Sequence, residues 1–336
     1  VNQVTMPPHS AGRILLAPME GLVDHIMRDM LTQIGGIDEC VTEFLRITDQ
    51  LLPVKVFKRI CPEIDNAWRT PAGTPVVLQL LGSDADWMAE NAQRAARLGT
   101  PALDINFGCP AKTVNRHRGG AVLLEEPETL FAIVRAVRQA VPDSIPVTAK
   151  MRLGYKDRSL LMENAKAIEE AGASQLVIHA RTKVEGYKPP AHWQEIEPVR
   201  QQLAIPVVAN GDVCTVEDYH ACRLASGCQD VMIGRGLVAQ PWLALQIRAS
   251  LSGQERAAPV LTEVAPWLEW FLQRNQQLML SKFAPGRVKQ WLKMLAGAMP
   301  DLRQWVQLLQ SERDPERFAE RVHAVVQELS AASQTD

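Results

Sequence analysis

Cys109 sits between Gly108 and Pro110 in the stretch LDINFGCPAKTVNRHRGG, residues 103–120. Gly108 permits a close backbone approach, and Pro110 fixes φ and stops a strand from continuing. Asn106, three residues earlier, carries an amide that both donates and accepts. Lys112, Arg116, His117 and Arg118 follow within one short loop. A thiol with an unperturbed pKa of roughly 8.5 is mostly protonated at neutral pH and suits general-acid work. The basic cluster beside it suits an anion. Taken alone, these residues also fit a buried core cysteine followed by a solvated basic loop, because free cysteine is among the most buried residue types.

Lys150, in the apolar run PVTAKMRLG (146–154), is the second informative residue. A buried lysine without a partner is costly, so it points at a group that is, or becomes, anionic. The N1–C2=O edge of a reduced flavin is such a group. Gln79, in PVVLQLLG (75–82), can hydrogen-bond the polar edge of the same ring, and positioning and tuning are what a protein supplies to a flavin. A Schiff-base lysine is the competing reading; it explains neither Cys109 nor the basic loop.

Eight short apolar runs position these residues: 14–19, 40–45, 75–82, 103–110, 146–154, 175–182, 206–213 and 230–236. They are near-continuous rather than alternating, as parallel strands buried on both faces require. Amphipathic stretches separate most of them, several ending in glycine as helix C-termini do. Eight strand–helix units predict an α/β fold closed as a (β/α)8 TIM barrel of roughly 250 residues, with an open doubly wound sheet as the alternative. After Gly253 no strand pattern remains. Residues 261–280, 286–299, 302–309 and 315–331 read as helices, with Trp267, Trp270, Trp291 and Trp305 read as core. The expected organisation is an extension over 1–12, a catalytic barrel over 13–253 and an all-helical C-terminal domain over 260–333. The loop 46–74, with three prolines and Lys55, Lys58 and Arg59, is long enough to carry function or extra helix.

The 336 residues carry a net charge of −2, so any nucleic-acid site must be a local patch. No apolar run reaches the roughly 18 residues that span a bilayer. The first residues lack an apolar signal core, so a cytoplasmic location is expected. Six cysteines without paired spacing read as reduced thiols; His220, Cys222 and Cys228 read as packing, and no metal site is expected.

In a barrel the C-terminal strand ends and following loops line one face. Those ends supply Pro18, Met19 and Glu20; Gln79; Asn106 and Cys109; Lys150 and Arg152; His179 and Arg181; Asn210, Gly211 and Asp212; and Gly234, Arg235 and Gly236. Stability alone does not call for polar groups on nearly every strand. The last two sets have the form of a barrel phosphate site, with unobstructed backbone N–H groups, a helix to follow and Arg235 for a charge-assisted contact; two ordinary tight turns are the other reading. GRGLVA also matches a loose dinucleotide fingerprint, but no acidic residue follows at the required distance.

The strings LLAPMEG, DINFGCPAKTVNRHRGGAVLL, VTAKMRLG, HARTKVEGY, VVANGDV and VMIGRG, in order over residues 14–236, resemble the tRNA-dihydrouridine synthases. TEFLRITDQLLP and GRVKQWL resemble the bacterial C-type subgroup, whose members reduce uridine 16 of the tRNA D-loop. Phe107 and the pair His117-Arg118 depart from that subgroup, where smaller residues are usual. The resemblance implies FMN as cofactor, NADPH as electron donor and tRNA as partner. By position it implies that Pro18, Met19, Glu20, Gln79 and Lys150 contact the flavin, and that Asn210–Asp212 and Gly234-Arg235 hold its phosphate. His179 and Arg152 would lie near flavin or uracil, and Asn106 would hold the target base. Flavin would deliver hydride to uracil C6 and Cys109 a proton to C5, on a base splayed out of its fold. Arg46, Arg287 and Lys289 would orient the tRNA. Further grip is expected from Lys112, Arg116, His117 and Arg118, from Arg181, Lys183, Tyr187 and Lys188, and from Lys282, Lys293 and Arg303. The protein is expected to act as a monomer. Two alternatives stand: a small-molecule pyrimidine flavoenzyme of the dihydroorotate dehydrogenase kind, and a non-catalytic RNA-binding barrel.

Overall fold

The computed structural model describes residues 12–331; the extension expected before Gly12 lies outside the described residues, as do residues 332 and 333. Among the described residues, nine strands all run parallel: β1 (Ile14–Leu16), β2 (Glu39–Val41), β3 (Leu45–Arg46), β4 (Val76–Leu81), β5 (Leu103–Phe107), β6 (Val147–Gly154), β7 (Gln175–Thr182), β8 (Val207–Asn210) and β9 (Val231–Ile233). β1 pairs with β2 on one side and with β9 on the other, and β2 pairs with β4. The ring therefore closes on eight strand positions as a (β/α)8 TIM barrel, and the open-sheet alternative is excluded. The run expected as one strand over 40–45 is interrupted. Cys40 faces Val76 and Leu45 faces Leu80, five steps on one strand against four on its neighbour, so a residue is extruded near Thr42–Phe44 and β3 continues β2.

All of β4, β5 and β7 is buried, which is why their sequences are apolar without alternating. Leu15, Ala17, Val41, Val77, Val177, Val208 and Met232 form the interior packing of the barrel. A larger apolar layer between the strands and the outer helices surrounds it. The helices start where the sequence supplies acceptors. Asp24 caps His25–Ile34 through the Met27 N–H at 3.0 Å, and Thr215 with Asp218 forms a capping box on Val216–Ser226.

Helices Leu261–Leu278, Ala284–Ala298, Arg303–Gln310 and Pro315–Ala331 follow the barrel. Trp291 and Trp305 are buried, and Trp267 and Trp270 pack partly buried against the same core. The Trp291 indole lies edge-on to Phe271 at 5.0 Å and donates to Val238 O at 3.1 Å, joining these helices to the barrel. The long loop 46–74 carries the helix Val54–Ile60 and the turn Pro62–Asn66. It is fastened by Glu63, which accepts from both Nε and Nη2 of the buried Arg28 at 2.9 Å. No helix among the described residues is long and apolar enough to cross a membrane.

Candidate active site at the barrel mouth

A cavity of about 520 Å³ opens at the C-terminal ends of the strands. Strand register explains its lining. Gln79 lies beside Asp104, Asn106 beside Lys150, and Arg152, His179 and Asn210 lie abreast on β6, β7 and β8. Period-two alternation then turns these polar side chains inward together, while Leu103, Ile105 and Phe107 face the helices. Of the residues singled out from sequence, Pro18, Met19, Glu20, Gln79, Asn106, Cys109, Lys150, Arg152, His179, Tyr187, Asn210, Gly211, Asp212, Gly234 and Arg235 all line this cavity.

Cys109 is held by its backbone. Asn106 Oδ1 accepts the N–H groups of Gly108 and Cys109, each at 2.9 Å. Asn115 Nδ2 donates to Cys109 O at 2.9 Å. Gly120 has a φ of +67°, and a Cβ there would lie 2.8 Å from Cys109 O, so only glycine fits. Burial pushes the Cys109 thiol up from its ordinary value and the nearby Glu20 adds to this, against the Ala111 N–H and the charges of Arg152 and Lys150. The thiol is therefore protonated at neutral pH.

Behind it runs a relay of fixed direction. The Asp104 carboxyl accepts from Thr148 Oγ1 at 2.6 Å and from Gln79 Nε2 at 2.7 Å; Gln79 Oε1 in turn accepts from Asn106 Nδ2 at 2.7 Å. Asn106, expected to hold a base, commits its oxygen and one N–H to the protein and keeps one N–H free. Arg152 Nε donates to Gly108 O at 2.8 Å and Nη1 to Thr182 O and Gly186 O, which binds the loops after β5 and β7 together. The exposed Tyr187 ring lies between Arg152, at 5.1 Å, and Arg235, at 5.0 Å.

Lys150 faces the cavity with no ion pair or hydrogen bond among the described residues. Burial, then the like charge of Arg152, lowers its pKa to about 8, with Asp104 and Cys109 opposing. His179 is held well below the ordinary histidine value by burial and by Arg152, Lys150, Arg181 and Arg235, so its ring is neutral, and its buried Nδ1 has no partner.

Of the residues expected to contact tRNA, Arg46, His117, Arg287 and Lys289 lie outside the lining. Arg46 and His117 are exposed. Arg287 pairs with Asp24 at 2.9 Å and donates to Gly21 O and Leu22 O. Lys289 donates to Glu312 O and stacks over Phe318. One expectation is corrected. Arg181, read as an RNA-gripping charge, is fully buried and bound through two nitrogens to Asp212, because its position on β7 turns it inward. Asp104, Asn115 and Gln290 were not singled out from the sequence. Inward alternation within LDIN was a signal for Asp104; nothing local marked Gln290, which reaches the cavity from the helix Ala284–Ala298.

The dihydrouridine synthase family model matches residues 15–331. The chain belongs to the dihydrouridine synthase family. It is 53% identical over 306 residues to a tRNA-dihydrouridine(16) synthase of Aquipseudomonas alcaligenes, covering 91% of this chain and 97% of the other. A protein of the same name from Pseudomonas syringae pv. tomato is 53% identical over 91% of this chain and 96% of its own. One from Shewanella oneidensis is 51% identical over 86% of this chain and 90% of its own. Among solved structures, a 6-hydroxypseudooxynicotine amine oxidase from Pseudomonas geniculata N1 shares the fold at a TM-score of 0.53, with 13% identity over 74% of this chain and 49% of that one. Dihydrouridine synthases are flavin-dependent oxidoreductases, which sets aside the non-catalytic reading, and membership of this family sets aside the dihydroorotate dehydrogenase-like one. The lining fits a flavin: an unpaired ammonium at Lys150, an orphaned ring nitrogen on His179 and a second N–H on Gln79 all await acceptors or donors that the protein does not provide.

Proposed function

We propose that this protein reduces the C5–C6 double bond of uridine 16 in the D-loop of tRNA, with FMN as its flavin and NADPH as its electron donor. The observation that carries the reading is the protonated Cys109 thiol sharing one cavity with the unpaired Lys150 ammonium. The position of the target rests on the names of the relatives.

Gln79 and Lys150 hold the polar edge of the isoalloxazine ring, Pro18, Met19 and Glu20 border it, and Asn210–Asp212 with Gly234 and Arg235 take its phosphate. When bound and reduced, FMN supplies the hydride for uracil C6. Cys109 supplies the proton for C5 and recovers it from solvent. Lys150, charged at neutral pH, favours the electron-rich ring. Arg152 borders the uracil, His179 offers its unpartnered ring nitrogen to the flavin, and Asn106 offers the base the one N–H left free.

The barrel, residues 13–253, carries catalysis, and the helices within 260–333 grip tRNA. Arg46, His117 and Tyr187 contribute to that grip, phosphate contacts positioning the molecule and shape selecting it, whereas Arg287 and Lys289, bound to Asp24 and to Glu312 O, orient the tRNA indirectly by fixing the helix that faces it. The protein acts in the cytoplasm as a monomer. Incubating unmodified tRNA with the protein, FMN and NADPH and mapping dihydrouridine tests this. Product at position 16 is expected; product only at 17 or 20 would overturn the assigned position, and no product would overturn the activity.

A further inference from the structure

Gln290 is the one cavity-lining side chain that the C-terminal helices contribute among the described residues. Its Oε1 lies 2.7 Å from Arg287 Nη1. Guanidinium only donates, so this contact fixes which end of the Gln290 amide is oxygen. Arg287 cannot turn away. It is paired with Asp24 at 2.9 Å, donates to Gly21 O at 2.9 Å and Leu22 O at 3.0 Å, and its side chain is only 12% exposed. The residues it grips directly follow Met19 and Glu20 of the cavity wall. The remaining end of the amide, Nε2, has no partner among the described residues.

Depth within the cavity separates the ligands. Gln79, Asn106, His179 and Asn210 are buried at its floor, whereas Gln290 is exposed at its rim. A nucleotide that inserts its base toward Cys109 leaves its ribose and phosphate at that rim. We propose that Gln290 is a positioning residue for the substrate, donating from Nε2 to a ribose or phosphate oxygen of the target nucleotide, with Arg287 setting its orientation. This rests on the proposed reduction of tRNA. It makes the helical region part of the active site, through a donor carried by the helix Ala284–Ala298.

Gln290→Glu keeps the size of the side chain and replaces the donor by an acceptor that ion-pairs with Arg287. Gln290→Leu removes both ends. With flavin content equal to wild type, Gln290→Leu should raise the KM for tRNA about fivefold, the loss of one hydrogen bond. Gln290→Glu should raise it further, by about tenfold or more, if a phosphate oxygen is the partner, and no further than Gln290→Leu if a ribose hydroxyl, which can donate to the carboxylate, is the partner. In both, kcat at saturating tRNA should change little. A phosphorothioate 5′ to the target distinguishes the acceptor: the wild-type penalty for sulfur vanishes in Gln290→Leu if the phosphate is the partner and persists if the ribose is. Unchanged KM in both variants, or loss of flavin in either, would overturn the assignment. A wild-type protein that makes no dihydrouridine would overturn the parent reading and this one with it.

Discussion

Asn106 holds Cys109 by its backbone, with Oδ1 accepting the Cys109 N–H at 2.9 Å. The Asn106 amide donates to Gln79, and Gln79 to the buried Asp104. Backbone N–H groups can only donate, so Gly108 and Cys109 fix Asn106 Oδ1 as the acceptor and with it the direction of every bond back to Asp104, whose carboxyl pKa is raised by burial. Asn106→Leu leaves two N–H groups and Gln79 Oε1 without partners. It should cost about 2 kcal/mol or more of stability and slow tRNA reduction. Urea unfolding and single-turnover assays check this; a variant as stable and as fast as wild type would show that the relay does not set the loop.

Cys109→Ala should bind FMN and accept electrons from NADPH, yet form dihydrouridine roughly 10²–10⁴-fold more slowly, the usual span of general-acid effects. Flavin absorbance and product mapping on one preparation separate the two steps. Wild-type product levels would remove Cys109 as the proton donor.

Lys150 titrates at about 8 in the ligand-free protein, lowered by burial and then by Arg152. A bound flavin acceptor favours its ammonium, so FMN affinity should fall as pH rises through that value. From about pH 8 to the ordinary lysine value of roughly 10.4, the unfolded chain retains a proton that the ligand-free folded chain has released. The ligand-free protein should therefore gain stability with rising pH across that window. Flavin titrations of stripped protein, repeated with Lys150→Met, measure the first effect. An equal pH slope in the variant would assign the effect to another group.

The Arg28–Glu63 pair is buried on both sides, at 0% and 6% exposure. Burial opposes the Glu63 charge, but the attraction and hydrogen bonds of Arg28 prevail and hold its pKa below the ordinary value. The stability this contributes is present above the unfolded pKa, roughly 4.3, and is lost as pH falls through the lower folded one. Arg28→Met strands a buried carboxylate and should cost about 3–5 kcal/mol at neutral pH, whereas Arg28→Met with Glu63→Leu should recover most of it. Denaturation curves of the single and double variants decide; equal losses in both would mean that packing, not charge, holds the loop.

Much of the fold and site is legible locally. A strand buried on both faces must be apolar throughout, so each of the eight strand positions appears as a short run, and lysine, glutamine or histidine inside such a run announces an inward-facing polar group. That is why Gln79, Lys150, His179 and Cys109 stand out within their own strings of sequence. Closure of β1 on β9, the break between β2 and β3, the burial of Arg181 against Asp212 and the arrival of Gln290 beside residues 17–22 required the tertiary structure. Each depends on which distant segments become neighbours, and on the twist and register that bring them together. Spacing along one chain carries a side chain's chemistry and the face it takes; only packing supplies the partner.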